Sequence, residues 1–150
     1  MNPMTAGITR AGDGQDDIRW NILGQTYVPK QLTEACFSWH ATLPVGTGVP
    51  EHIHPEQDEF IYMLEGKLDL TLNGKAATAS AGDLVRMPRG IPHAIFSNGD
   101  RAAKCLFWVT PSRRLYDLFW QLDKMGGADP AEIVAVSAAH EVDFLPPPDK

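Results

Sequence analysis

The chain has 150 residues, 43% of them hydrophobic, enough for one domain with one sizeable core. Thirteen basic residues against nineteen acidic give a net charge of −6, which argues against a nucleic-acid or anionic-membrane partner, since either calls for a basic face. No apolar run approaches the ~20 residues of a membrane span.

The opening "MNPMTAGITRAGDGQDD" lacks the apolar segment of a signal peptide and reads as a mobile tail over residues 1–17. "IRWNILGQTYVPKQL" (18–32) mixes β-branched and aromatic residues with turn residues and reads as one or two short strands. "TEACFSWHATL" (33–43) alternates: Ala35, Phe37, Trp39, Ala41 and Leu43 share one side, and Cys36, Ser38, His40 and Thr42 the other. That period of two predicts a strand. After the break "PVGTGVP", "HIHPEQDEFIYMLEG" reads as a strand ending at Gly66. "KLDLTL" alternates again and stops at Asn73-Gly74, a strong hairpin signal. Further short strands follow on either side of the bend Pro88-Arg89-Gly90, and "RAAKCLFWVT" is one more. Strands recurring every eight to twelve residues from about 18 to 110 argue for a sandwich or barrel.

The last forty residues change character. Leu115, Leu118, Phe119, Leu122 and Met125 fall at helical spacing, with Ser112 as the expected cap and Gly126-Gly127 as the stop. A second short helix is predicted after Asp129, with Pro130 in its first turn and Glu132 at its third position. His140 suits the C-terminal end of that helix. The division is therefore a tail (1–17), a β-barrel (18–110) and a helical extension packing on it (111–150). Cys36 and Cys105, far apart in strand-like runs, read as reduced, buried thiols, and a cytoplasmic location is expected.

"PEHIHPEQDEF" (50–60) carries the chemistry. His52 and His54, two apart on a strand, would face the same way, and Glu59 follows five residues on. Two imidazoles and a carboxylate can converge on one cation, and this donor set suits Zn, Ni, Cu, Fe, Co or Mn better than Ca or Mg.

The wider spacing carries a resemblance. Gly46, His52, His54, Glu59 and Gly66 are spaced G-x5-H-x-H-x4-E-x6-G, and Gly82, Pro88, Gly90 and His93 are spaced G-x5-P-x-G-x2-H. These two motifs resemble those of the cupin superfamily. The second departs from the family at its last position, where Ser97 stands in place of asparagine; that bears on loop geometry, since the asparagine is a turn residue there. The resemblance implies an all-β fold, a double-stranded β-helix or jelly-roll barrel, with two short C-terminal helices. It also implies that His52, His54, Glu59 and His93 bind one divalent transition metal ion (Ni, Fe, Mn, Cu, Co or Zn), with a position left open for substrate. "HIHPEQDE" is similar to the quercetinase-like branch of small cupins, as is the C-terminal extension with its Pro-Pro ending.

If Glu59 points inward, alternation sends Ile61 and Met63 inward too, and His93 does the same for Ile95, giving an apolar pocket. Gln57 is expected to orient a ligand by hydrogen bond, and Glu59 to serve as both ligand and catalytic base. His40 is expected at a surface or edge. Phe119 and Trp120 are candidates for closing the pocket mouth. The leading functional reading is a metal-dependent dioxygenase acting on a small, largely apolar organic molecule. The alternatives are a non-oxidative metal-dependent isomerase, decarboxylase or hydrolase, and a non-enzymatic small-molecule binding cupin. A homodimer, paired through barrel edges and the apolar strand around Trp39, is expected.

Overall fold

The computed structural model describes residues 3–146. Eleven strands appear in chain order: β1 (Trp20–Ile22), β2 (Gln25–Leu32), β3 (Phe37–Leu43), β4 (Gly48–Ile53), β5 (Asp58–Glu65), β6 (Lys67–Leu72), β7 (Lys75–Ser80), β8 (Leu84–Met87), β9 (His93–Phe96), β10 (Ala103–Thr110) and β11 (Asp143–Phe144). Two helices, α1 (Leu115–Asp123) and α2 (Pro130–Ala139), lie between β10 and β11. The strands form two sheets, ordered β1-β2-β3-β10-β5-β8 and β11-β4-β9-β6-β7, and every strand pair is antiparallel. This is the all-β jelly roll with two short helices that the motifs imply. Among the described residues no helix is long and apolar enough to cross a membrane.

Alternation builds the core. Along β3, Phe37, Trp39, Ala41 and Leu43 are buried while Ser38, His40 and Thr42 are half-buried. Opposite them, β10 turns in Ala103, Cys105, Phe107 and Val109. Each large side chain taken out of water contributes about 1.5–3 kcal/mol. Trp39 stacks on Phe107 at 5.2 Å, and Phe119 of α1 meets Trp39 edge-on at 5.0 Å. The apolar stripe of α1 (Leu115, Leu118, Phe119 and Leu122) is buried. Trp120 sits outside that stripe, edge-on to Trp20 of β1 at 5.5 Å. The helix is thus part of the core.

Several local expectations need correction. The run from His52 to Glu65 is two strands, because the chain turns at Pro55-Glu56. The strand expected from Thr33 starts at Phe37, since Thr33 N–H bonds the Cys36 carbonyl at 2.9 Å and the Thr33 hydroxyl accepts from Cys36 N–H at 3.2 Å. Ser112 does not cap α1: its hydroxyl donates to the Glu34 carbonyl at 2.9 Å, and Arg114, with no capping side chain, occupies the cap position. Asp129 does cap α2, accepting from Ala131 N–H at 3.1 Å, with Pro130 first in the helix. The tail expected after α2 includes β11, which pairs with β4; the proline run at its end extends beyond the described residues.

Trp39 offers no pairing edge. Its side chain is buried, and β3 is already flanked by β2 and β10. Ahead of the barrel, the segment preceding β1 lies along β2: Lys30 Nζ donates to the carbonyls of Arg10 and Asp13, and the Thr9 hydroxyl to that of Lys30. Both cysteines are free: Cys36 is half-buried, and Cys105 is buried with its thiol pushed up to about 12 by desolvation.

A candidate metal centre under an aromatic roof

His52 lies on β4 directly opposite His93 on β9, where the register shifts between Val49 and His52. His54 is the first residue past β4, and Glu59 is the second residue of β5. Three segments therefore meet here, and long-range bonds hold them. Gly90 N–H donates to the His54 carbonyl at 3.0 Å, tying the Pro-Arg-Gly bend to the histidine turn. Arg89 N–H donates to Asp58 Oδ1 at 2.9 Å, tying the same bend to the start of β5. Gly48 lets β4 and β9 approach closely, since a Cβ there would lie 2.4 Å from the Ile95 carbonyl oxygen. Gly66 turns the chain from β5 to β6 with φ +71°, a conformation that glycine adopts without strain. Ser97 takes over a fixing role at the departed motif position: it is buried, its hydroxyl donates to the Leu43 carbonyl at 3.0 Å, and its carbonyl accepts from Gly46 N–H at 2.8 Å.

One donor atom from each of His52, His54, Glu59 and His93 lies within 4.8 Å of the other three, and all four residues are buried. Donors held about 2.0–2.2 Å from one ion sit roughly 3–4 Å apart, so the widest pair needs to close by about 1–2 Å to hold one. His93 Nε2 is 3.2 Å from Glu59 Oε1, yet it has no aligned hydrogen-bond partner. A buried ring nitrogen left without such a partner is free to face a cation. His54 Nε2 is 3.7 Å from Glu59 Oε2.

Hydrogen bonds on the far side of the rings set the tautomers. His52 Nδ1 is 2.8 Å from the Pro50 carbonyl, which can only accept. His54 Nδ1 is 2.8 Å from Gln57 Oε1, and the Gln57 amide nitrogen donates to the carbonyls of Pro111 and Ser112. Those two bonds fix which end of the Gln57 amide faces His54, so Nδ1 must carry the proton. His93 Nδ1 faces the Ile91 carbonyl at a longer 3.4 Å. In His52 and His54 the Nε2 lone pair is thereby presented to the centre, the form a metal takes.

Burial, followed by the neighbouring His93 and His54, holds His52 down at about 3. For Glu59, burial alone would raise the carboxyl, but His54, His93 and His52 together outweigh it and bring it to about 2. The group therefore sets a buried, negatively charged carboxylate beside the unprotonated His52 and two further buried imidazoles. A divalent cation answers that imbalance. The residues fit such an ion.

A cavity opens beside this cluster. It holds about 480 Å³ of empty space, the open solvent at its mouth included. Its floor is His52, His54 and Glu59; its walls include Tyr27, Trp39 and Phe107 from the six-stranded sheet, and Phe119, Leu118 and Leu122 from α1 cover it. Of the apolar residues expected to line it, Ile95 does. Ile61 and Met63 do not: they share the inward face of β5 with Glu59 but lie progressively further along the strand, fully buried, with Met63 Sδ 3.6 Å from Cys105 Sγ. His40 is half-buried on the other face of β3, with Lys30, Lys104 and Arg19 near it, away from this cavity. His140 bonds the Val136 carbonyl at 2.8 Å at the end of α2.

Sequence reasoning missed most of the lining, Tyr27, Val142, Phe144 and Ser137 among it. Tyr27 is fully buried, its phenol pushed far above its usual range by burial and by Glu59. It donates to Gln25 Oε1 at 2.7 Å, and Gln25 donates in turn to the Gly48 carbonyl at 3.1 Å. A glutamine in phase with buried positions of β2 was the available signal. Val142, Phe144 and Ser137 belong to the C-terminal segment, and Phe144 sits 5.4 Å from the His52 ring. Their position follows from β11 pairing with β4, which nothing local announces.

Residues 39–109 match the family model described as the cupin domain. The chain is 32% identical over 75 residues to the tetracenomycin polyketide synthase protein TcmJ of Streptomyces glaucescens, an alignment covering half of each protein. It is 41% identical over 49 residues to quercetin 2,3-dioxygenase of Bacillus subtilis, which covers 33% of this chain and 14% of that enzyme. In fold it resembles KdgF from Halomonas sp., with a TM-score of 0.65 at 17% identity over 75% of this chain and 99% of that one; at that identity the likeness speaks to fold alone. Residues 39–109 of this chain are thus a cupin domain. The chain spans about half the length of TcmJ and much less of the dioxygenase.

Proposed function

We propose that the protein binds one divalent transition metal ion through His52, His54, Glu59 and His93, and that it oxygenates a small, flat, largely apolar organic substrate. The observation that carries this is the convergence of four buried donors, two of them with tautomers fixed by hydrogen bonds, at the floor of an aromatic cavity. An ion there would supply a Lewis acid that gathers the oxygen donors of a substrate and, if redox-active, a path for electrons to dioxygen. Incorporating both atoms of dioxygen into the organic product needs no external reductant.

The chain's own residues do the rest. Glu59 is ionised at neutral pH, so its free oxygen can take a proton from an acidic substrate hydroxyl. The aromatic walls and α1 exclude water and hold a planar molecule by stacking. Glu59→Gln should abolish turnover beyond any loss of metal; a variant that keeps both metal and rate would remove the base role.

A non-oxidative reaction is the second reading, favoured by the likeness to a polyketide synthase protein. Elemental analysis of the purified protein, with oxygen uptake measured against flavonols and diketones, tests the first reading. Product formation under strict anaerobiosis would establish the second.

A further inference from the structure

The aromatic cavity contains one polar group that the metal cluster does not explain. Ser137 lines the cavity, is fully buried, and its hydroxyl has no hydrogen-bond partner. It is the one buried residue of α2, a helix whose other residues are apolar save for Glu132. A helical serine commonly bonds the carbonyl four residues back; this one does not. Leaving a buried hydroxyl unpaired costs about 1–3 kcal/mol, and an alanine would have filled the same space. Two indole N–H groups, of Trp20 and Trp39, are also unpaired, but both rings pack edge-on against other aromatic rings, with centroids 5.0 to 5.7 Å apart, and aromatic faces weakly accept from N–H donors.

Ser137 lies on α2, an element that supplies none of the metal ligands. Its carbonyl accepts from Val142 N–H at 3.0 Å. From Val142 the chain runs through β11, where Phe144 pairs with His52. Val142 and Phe144 line the same cavity. The C-terminal end of α2 is tied down: Arg113 grips Glu141 through two bonds, of 2.7 and 3.1 Å, and Arg114 bonds the Ala139 carbonyl at 2.7 Å. A buried apolar wall with one unpaired hydroxyl is how a site reads a single oxygen on a ligand.

We infer that Ser137 recognises the substrate by a hydrogen bond to an oxygen other than the one held by the histidines and Glu59. This rests on the metal-site reading above and narrows its substrate to planar aromatic molecules with two separated oxygen functions, one for the metal end and one for α2. Ser137 positions the substrate and takes no part in the chemistry.

The test uses the full chain loaded with zinc, and two probes. Quercetin carries hydroxyls on its outer rings; 3-hydroxyflavone keeps the same hydroxy-ketone but lacks them. Binding is measured by calorimetry for wild type and for Ser137→Ala. The expected result is that Ser137→Ala weakens quercetin roughly three- to tenfold and leaves 3-hydroxyflavone unchanged or tighter. Without ligand, Ser137→Ala should melt at the same temperature or higher, because an unpaired hydroxyl has been removed. Equal weakening of both probes, no weakening of either, or a lowered melting temperature overturns the role of Ser137 while leaving the metal site standing. Binding of neither probe to the zinc-loaded wild type overturns the aromatic-substrate reading and this one with it.

Discussion

The two ends of the cavity are built differently. The metal end is made of strands and the turns that leave them, locked from behind: His52 by the Pro50 carbonyl, His54 by Gln57, and the Pro-Arg-Gly bend by His54 and Asp58. The covering end is made of apolar side chains from α1 and the segment after α2, held by packing. Directional bonds place donors to within a fraction of an ångström; apolar packing sets shape and excludes water. Chemistry is thereby assigned to the rigid end and substrate choice to the cover.

That contrast breaks in a definite order under substitution. His93→Ala removes a donor and leaves Glu59 without its nearest imidazole; bound metal should fall below one ion per chain under conditions that saturate wild type, as read by elemental analysis. Phe119→Ala attacks the cover instead. Phe119 touches Trp20, Tyr27, Phe37 and Trp39, so its loss should cost about 3–5 kcal/mol of stability in urea titrations, with metal stoichiometry unchanged. If Phe119→Ala lost its metal while still folded, the two ends would not be separable. Gln57→Leu sits at the boundary. It removes the acceptor that fixes the His54 tautomer and the link to Pro111 and Ser112, and should weaken metal about 10- to 100-fold.

The smallest effect is that of pH on the metal-free protein. His52 is held at about 3 when folded against 6.5 when free, so below pH 6.5 the unfolded chain takes up a proton that the folded chain does not. Glu59 is held at about 2 against 4.5, and its contribution is present above pH 4.5 and lost as pH falls toward 2. Both make stability decline on acidification, beginning near pH 6.5. Urea midpoints that stay flat between about pH 7.5 and 5 would contradict the buried, unprotonated state of His52.

The metal end was also the legible end. Its histidines and glutamate stand close together in the chain or beside a bend that spacing reveals, and strand alternation is a local property. Even there the turn at Pro55-Glu56 was hidden, because polar strand ends and turns share the same residues. Ser112 was misread as a cap for a different reason. Its hydroxyl is drawn to Glu34 and its carbonyl to Gln57, partners 78 and 55 residues away. The cover was harder still. Tyr27, Phe144 and Ser137 come together only because β11 joins β4 and α1 packs on β1, and neither pairing leaves a periodic trace in the sequence.

The central claim is that four residues form one metal centre. Calorimetric titration of the metal-stripped protein with nickel, zinc and manganese tests it most directly. One saturable site per chain for at least one of these ions, absent in His52→Ala, is the expected result; no saturable binding of any of the three, or equal binding by wild type and His52→Ala, would contradict it.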